Sequence, residues 1–425
     1  MNSYCLATYR CYDEKADFYK KAQSIAEGLT VGSWTDLPEA KKANMKKHLG
    51  LVINVKMYES DDPLSGYGRC ADIQIAYPDA NFSRDIPALL VTVFGKLSMD
   101  GRIKLIDLHF SAAFLSAFPG PKFGINGVRD LIGVPYRPLL MSIFKSVIGH
   151  DLPGLREQFL QQSLGGVDLI KDDEILFENP LTPLTERVKV CMQAAAQAEH
   201  ETGQKLLYAV NLTGRTSQLI ENAKRAIDAG ANALLFNVLA YGFDTLHELS
   251  SHLDIQVPIM AHPAMAGAYY PSPHHGISAS LLLGKLMRLA GADLVLFPSP
   301  YGTVVMPREE NMEIKQLLVT LDFEKDYQYK QKNDPFDPDV QFPTSFPVPS
   351  AGIHPGLVPA IIRDFGHQVV VNAGGGVHGH PMGTAAGGIA FRQAIEAVMI
   401  DIRLTDFAEN YPELKAAIDT WGVKE

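Results

Sequence analysis

The sequence predicts an α/β protein in two parts, an α+β unit over residues 1–120 and a TIM-type (β/α)8 barrel over residues 121–425. Three observations predict it. At 425 residues, 46% of them hydrophobic, the chain is long enough for two or three ordinary domains. After residue 120, eight short apolar runs recur, each followed by Gly, Pro or polar residues and then a helical stretch; eight such units over about 280 residues match a TIM barrel in count and size. The cluster Phe118-Pro119-Gly120-Pro121-Lys122-Phe123-Gly124 breaks periodicity between the parts and marks the boundary.

In the first part, Asp17 to Glu27 has helical periodicity, while Leu51 to Met57, Ala71 to Tyr77, Leu89 to Phe94 and Lys104 to Leu108 read as strands. In the second, the eight strands are Pro138 to Lys145, Val167 to Lys171, Leu206 to Leu212, Ala233 to Leu239, Pro258 to His262, Ala292 to Phe297, Ser345 to Pro349 and Gln368 to Asn372. Helices are expected between them, among them Leu155 to Leu164, Leu184 to Thr202, Thr216 to Ala229, Ser278 to Ala290 and Gly387 to Ile400. Lys325 to Pro343, rich in Lys, Asp, Gln and Pro, reads as a surface excursion. The same alternation could also build an open doubly wound sheet. No fixed-period repeat supports a solenoid.

Composition narrows the function classes. A net charge of -10, with 38 Lys and Arg scattered and no basic stripe, repels a phosphate backbone, so nucleic acid is not an expected partner. Cys5, Cys11, Cys70 and Cys191 have no paired metal spacing and cannot form a disulfide framework, which points to a reducing cytoplasm. The first fifteen residues carry Arg10, Asp13, Glu14 and Lys15, and apolar runs such as Ile86 to Gly95 stop near ten residues; neither a targeting segment nor a membrane span is expected.

Chemistry in a TIM barrel collects at the C-terminal strand ends, and polar residues concentrate there: Lys145, Lys171-Asp172-Asp173-Glu174, Asn211, Asn237, His262, Ser350-Ala351-Gly352, and Asn372 through Gly376. Strand alternation puts Lys171 and Asp173 on one face, and the following turn can fold Glu174 towards the same point. Two converging carboxylates suit a hard divalent cation such as Mg2+. In isolation the tetrapeptide also fits a solvated strand end with Lys171 pairing an acid; its place on a barrel rim favours a site. Gly352 and Gly374-Gly375-Gly376 follow the seventh and eighth strands, where backbone N–H groups commonly seat a phosphate; a plain tight turn is the alternative. Lys96, in Phe94-Gly95-Lys96-Leu97, reads on sequence grounds as a snorkelling surface lysine. His262 fits a core histidine as well as a site residue.

With these residues in view, the sequence resembles the RuBisCO-like proteins of the RuBisCO large-chain superfamily (type IV), in the form that serves methionine salvage as a 2,3-diketo-5-methylthiopentyl-1-phosphate enolase. The resemblance runs nearly end to end. Carrying it are Gly28 to Pro38 (GLTVGSWTDLP), Phe94 to Leu97 (FGKL), Pro138 to Lys145 (PLLMSIFK), Gly165 to Glu174 (GGVDLIKDDE), Tyr208 to Gly214 (YAVNLTG), Pro258 to Pro263 (PIMAHP), Phe297 to Gly302 (FPSPYG), Pro347 to Gly356 (PVPSAGIHPG) and Asn372 to Pro381 (NAGGGVHGHP). GGVDLIKDDE is the specific metal motif of the superfamily.

The resemblance implies a ferredoxin-like N-terminal domain and Mg2+-dependent keto-enol tautomerisation of the diketo phosphate. It implies that Lys171 is carbamylated by CO2 and joins Asp173 and Glu174 on one Mg2+ per subunit. Lys96 would be the general base, where carboxylases carry asparagine. Lys145, Lys171, Asp172, Asp173, Glu174 and His262 would bind substrate, and Gly352, Gly374 and Gly375 its phosphate. The N-terminal domain of one subunit would cover the barrel mouth of its partner in an obligate homodimer. Departures from carboxylating RuBisCO point away from CO2 fixation: Pro307 stands where the mobile-loop lysine falls, Pro263 replaces an arginine for a second phosphate, and Leu296 replaces a histidine. Gly28 aligns with a glutamate near Trp34 and leaves the role of that segment open. Isomerisation of another sugar phosphate, such as 5-methylthioribulose 1-phosphate, and non-catalytic ligand binding are the rival readings.

Overall fold

The structure, a computed structural model, describes residues 3–15, 17–32, 38–59, 68–321 and 342–424. Trp34 and, of the excursion from Lys325 to Pro343, all but Phe342 and Pro343 lie outside the described residues. The described residues cluster into two compact units. One takes the described residues within Met1–Pro119 and Met265–Leu286, with Leu321 and Phe342; the other takes those within Gly120–Ala264, Met287–Thr320 and Pro343–Glu425.

The first unit is built on β1 (Tyr4–Tyr12), β2 (Leu51–Glu59), β3 (Arg69–Pro78) and β4 (Ile103–His109). Antiparallel pairing places β1 between β3 and β4, with β2 outside β3. The short strand Gly276–Ile277 adds to β4 in parallel, so the sheet is mixed. The sequence reading missed β1. Burial alternates from Ala7 to Tyr12, with Ala7, Tyr9 and Cys11 buried and Thr8, Arg10 and Tyr12 partly exposed, but Tyr and Cys on one face against Thr, Arg and Tyr on the other do not mark it as a plain apolar-polar pattern would.

The helix Phe18–Gly28 begins where Asp17 accepts from the amides of Tyr19 and Lys20, each at 3.1 Å. Its buried residues Phe18, Ala22, Ile25 and Ala26 recur at helical spacing and pack on β2 and β3. Leu89 to Phe94, expected as a strand, is helical: Ile86–Leu90 is α-helix and Val91–Gly95 a π turn. Val91, Thr92 and Val93 suggested a strand. Asp85, accepting from Ala88 N at 2.7 Å, with Pro87 in the first turn, starts a helix instead. Ile86, Leu89, Val93 and Leu97 are buried three or four residues apart, whereas Val91 is 69% exposed.

The second unit holds eight parallel strands: β5 (Leu139–Ile143), β6 (Leu169–Lys171), β7 (Leu207–Asn211), β8 (Ala233–Phe236), β9 (Ile259–Ala261), β10 (Leu294–Pro298), β11 (Phe346–Ser350) and β12 (Val370–Ala373). Each falls on one of the eight apolar runs. Neighbours pair in order from β5 to β11, and β12 pairs with β5 through Val370 opposite Leu139. The sheet is therefore a nearly closed barrel, and an open doubly wound sheet is excluded. At the seam between β11 and β12, Asn372 Nδ2 donates to Ser350 Oγ at 2.7 Å.

Alternate residues of successive strands fill the interior: Leu139 and Met141, Leu169, Leu207 and Ala209, Ala233 and Leu235, Met260, Leu294 and Leu296, Phe346 and Val348, and Val370. Ile125, Val128 and Ile132 of the helix Gly124–Ile132 join this core. Asp293, just before β10, fixes the start of that helix by accepting from Phe123 N at 2.7 Å and Gly124 N at 2.8 Å. A barrel filled by side chains leaves its C-terminal rim as the place for chemistry.

Candidate active site

Strand ends bring Lys145, Lys171, Asp173, Glu174 and His262 into one connected cluster. Lys145 lies two residues beyond β5, and its Nζ contacts Asp173 Oδ2 at 2.9 Å. Lys171 is the last residue of β6. Its side chain is 1% exposed; Nζ donates to Asp172 O at 3.0 Å and lies 3.4 Å from Glu174 Oε2. His262 follows β9 and reaches the same Glu174 oxygen, Nε2 to Oε2, at 3.3 Å. Asp173 and Glu174 thus flank the lysine from the turn after β6.

The imidazole tautomer follows from its two neighbours. Ala264 N–H donates to His262 Nδ1 at 3.2 Å, so the ring proton is on Nε2 and points at Glu174. Burial lowers the pKa of His262 below its ordinary value, against the pull of Glu174. The hydrogen bond from His262 is the main influence holding the Glu174 carboxyl well below the usual carboxylate range, with Lys171 adding to it. These shifts agree: a neutral imidazole donates to an ionised carboxylate. Burial is also the main reason the Lys171 ammonium is easier to deprotonate than an exposed lysine; Lys145 adds to this, while Glu174 and Asp173 oppose it.

Asp172 does not join the cluster. Its carboxylate is fully buried, with Oδ1 accepting from Tyr208 OH at 2.6 Å and Oδ2 accepting from Asn211 N at 2.9 Å and Arg187 Nη2 at 3.3 Å. The alternation that turns Lys171 and Asp173 one way turns Asp172 the other. Sequence reasoning did not anticipate Arg187 or Tyr208; the strand parity of Asp172 was the available signal. Asn211 Nδ2 also donates to Glu174 O at 2.9 Å and Leu176 O at 3.2 Å, and Asn237 Nδ2 donates to Asn211 Oδ1 at 3.2 Å.

The glycines beyond β11 and β12 sit on two adjoining loops. Gly352 has φ +75, and a Cβ there would come within 2.7 Å of Thr303 N. Ala351 before it also has φ 75, and Ser146, next to Lys145, has φ 56, so both are held in the left-handed region that non-glycine residues rarely adopt. A Cβ on Gly374 would meet Lys145 Cε at 2.8 Å, whereas one on Gly375 meets nothing within 4 Å. Asn237 Oδ1 and Asn372 Oδ1, at the ends of β8 and β12, are buried acceptors with no donor among the described residues.

Lys96 belongs to the first unit, where it is exposed between the π turn and the short turn Leu97–Met99. Its ammonium makes no hydrogen bond or ion pair among the described residues. Leu296 is part of the barrel core, and Pro307 stands at the start of the helix Arg308–Val319. Neither offers a polar group.

Comparisons with known proteins identify the family of the chain. Residues 2–114 match the N-terminal domain of the ribulose bisphosphate carboxylase large chain, and residues 124–421 match its catalytic domain. A 2,3-diketo-5-methylthiopentyl-1-phosphate enolase from Bacillus licheniformis is 53% identical over 418 residues, 98% of each chain. One from Geobacillus kaustophilus is 51% identical over 424 residues, 99% of this chain and 98% of the relative. Among solved structures, a rubisco-like protein (MtnW) from Alicyclobacillus acidocaldarius is 44% identical with a TM-score of 0.88, covering 99% of this chain and 100% of the other. An archaeal RuBisCO superposes with the same TM-score of 0.88 at 27% identity, covering 100% of this chain and 98% of its own. With both domains matched and relatives above 50% identity along its length, the chain belongs to the ribulose bisphosphate carboxylase large-chain family, in its rubisco-like branch.

Proposed function

We propose that the protein is an isomerase that enolises 2,3-diketo-5-methylthiopentyl 1-phosphate to 2-hydroxy-3-keto-5-methylthiopentenyl 1-phosphate in methionine salvage, without fixing CO2. The observation that carries this reading is Lys171, buried at a strand end between Glu174 and Asp173, in a chain about half identical to enolases of that name.

The donor set fits Mg2+ only if Lys171 contributes. Among the described residues, no group of three or more His, Cys, Asp or Glu is placed to hold a metal. Asp173 and Glu174 would supply oxygen ligands, and Lys171, carbamylated when its neutral amine adds CO2 and releases a proton, would supply the third. When bound, Mg2+ polarises the substrate carbonyls and stabilises negative charge developing on oxygen. Lys96 takes the proton from C1 beside the phosphate. Lys145 and His262 hold the substrate oxygens, and the amides at Gly352, Gly374 and Gly375 hold the phosphate. Leu296, Pro263 and Pro307 leave the carboxylase functions unfilled, which favours one phosphate and an apolar tail over a bisphosphate.

The reading places Lys96 at the partner's barrel in a homodimer and the protein in the cytoplasm; no helix among the described residues is long and apolar enough to cross a membrane. The test is an assay for enol absorbance with and without Mg2+ and bicarbonate. Turnover of the diketo phosphate that depends on both supports the proposal. Turnover of 5-methylthioribulose 1-phosphate alone would replace it, and ligand binding without turnover would refute it.

A further inference from the structure

We propose that Asp172 is a positioning residue which, through Tyr208, Arg187 and Asn211, holds the backbone that presents Lys171 to CO2. The inference rests on the carbamate reading of Lys171 and gives Asp172 a task other than contact with substrate. Its carboxylate is fully buried and beyond the reach of a ligand on the rim. Both oxygens are committed: one to the phenol of Tyr208, the other to Arg187 and to the backbone of Asn211. Burial, reinforced by the Asp172 charge, pushes the Tyr208 phenol well above its ordinary range, so it stays a donor. Arg187, 1% exposed, is itself tied to Thr182 O at 3.1 Å. A charge pair this deep is held by several partners at once.

The link to chemistry is the backbone of Asp172 itself. Its N–H donates to Ala209 O at 3.0 Å, and its carbonyl accepts Lys171 Nζ at 3.0 Å. The side chain therefore fixes the peptide against which the reactive amine rests. Asn211 completes the clamp: its N–H binds the Asp172 carboxylate, and its amide binds Glu174 O and Leu176 O. One end of the Lys171–Glu174 turn is held through Asp172 and the other through Asn211. Loosening Asp172 should let the amine and the two carboxylates drift apart, weakening CO2 capture without touching the substrate.

The experiment uses the full-length protein with 13C-bicarbonate and Mg2+, following the carbamate carbon by NMR, the melting temperature, and KM at saturating Mg2+ and bicarbonate. Tyr208→Phe removes the 2.6 Å hydrogen bond and keeps the ring. It is expected to raise the bicarbonate and Mg2+ needed for half-maximal carbamate about tenfold, the loss of one hydrogen bond to a charged group, while KM stays within twofold. Arg187→Lys keeps the charge and is expected to show a smaller shift, which a fold collapse would not produce. Wild-type carbamate formation in Tyr208→Phe, whatever its melting temperature, overturns the proposal. So does a raised KM at full carbamylation, which would place this residue group on the substrate. Absence of any carbamate signal in the wild type would overturn the underlying reading of Lys171 as well, and is distinguishable because it requires no variant.

Discussion

Replacing Gly375 with Ala separates a ligand effect from a folding effect. Gly375 opens the short helix Gly375–His378, is not in the left-handed region, and would place a Cβ in space with no protein atom within 4 Å. Alanine is the better helix former by about 1 kcal/mol in a helix interior and less at this terminus, so the variant should melt at the same temperature or up to about 2 °C higher. The added methyl occupies the space assigned to the phosphate. Losing one backbone N–H bond to a charged oxygen costs about 1.5–3 kcal/mol, and about 1.4 kcal/mol is tenfold, so KM should rise roughly 10- to 100-fold. Steady-state enol absorbance gives KM, and inorganic phosphate as a competitor reports the same seat without the substrate tail. Gly352→Ala is the contrast: φ +75 and Thr303 N at 2.7 Å oppose any side chain, so melting temperature and affinity should fall together, by about 1–2 kcal/mol from the backbone strain alone. A stable Gly375→Ala enzyme with unchanged KM and unchanged phosphate inhibition would refute the seating of phosphate on this loop.

Three further outcomes are expected. Lys96→Ala should abolish enol formation while Mg2+ binding, followed by calorimetry, is retained; unchanged turnover would remove Lys96 from the role of base. Asp293→Asn turns one acceptor towards a backbone N–H, since Phe123, Gly124 and Ile259 all donate to this carboxylate, and should destabilise the barrel unit by about 1–3 kcal/mol in urea melts. Asp364 is held below its ordinary 3.8 first by its hydrogen bond with Arg308 and then by that with Tyr301, against burial. A carboxyl depressed in the folded state gives stability that is present above the unfolded pKa and lost as pH falls through the folded one. Arg308→Met should therefore move acid unfolding to higher pH within the range below about 4, measured by circular dichroism.

Barrel strands were legible because each is buried on both faces and so reads as an unbroken apolar run ended by Gly, Pro or a polar residue. Leu207–Asn211 and Leu294–Pro298 are examples. The first unit gave less, for two physical reasons. Strand β1 mixes Tyr, Thr, Arg and Cys, and the sheet around it decides its burial, not its own pattern. Ile86–Gly95 has strand-like composition with a helix cap before it, and the cap, by satisfying the first amides, prevails over β-branched propensity. In the site, Lys171, Asp173 and Glu174 were legible because they are nearly consecutive. Arg187 and Tyr208, 15 and 36 positions from Asp172, could be paired with it only by the fold.

The charges of the cluster explain why CO2 and Mg2+ should bind together on the proposed reading. With Lys171 protonated, the ammonium groups of Lys145 and Lys171 balance the carboxylates of Asp173 and Glu174, and the neutral His262 adds nothing. That arrangement is self-satisfied and offers no net field to a cation. Conversion of Lys171 to a carbamate exchanges a positive for a negative charge, leaving three anionic groups against Lys145 alone. Such an excess of two negative charges is costly without a counterion and is matched by one divalent ion. Neither change is favourable alone: the cation meets an ammonium if it arrives first, and the carbamate meets two carboxylates if it forms first. Labelled bicarbonate should therefore leave little carbamate in the absence of Mg2+, and Mg2+ should bind weakly in CO2-free buffer. Lys171→Met, which removes the ammonium without supplying a carboxylate, should bind Mg2+ no better when bicarbonate is added; a bicarbonate-dependent gain in that variant would assign the carbamate to another residue.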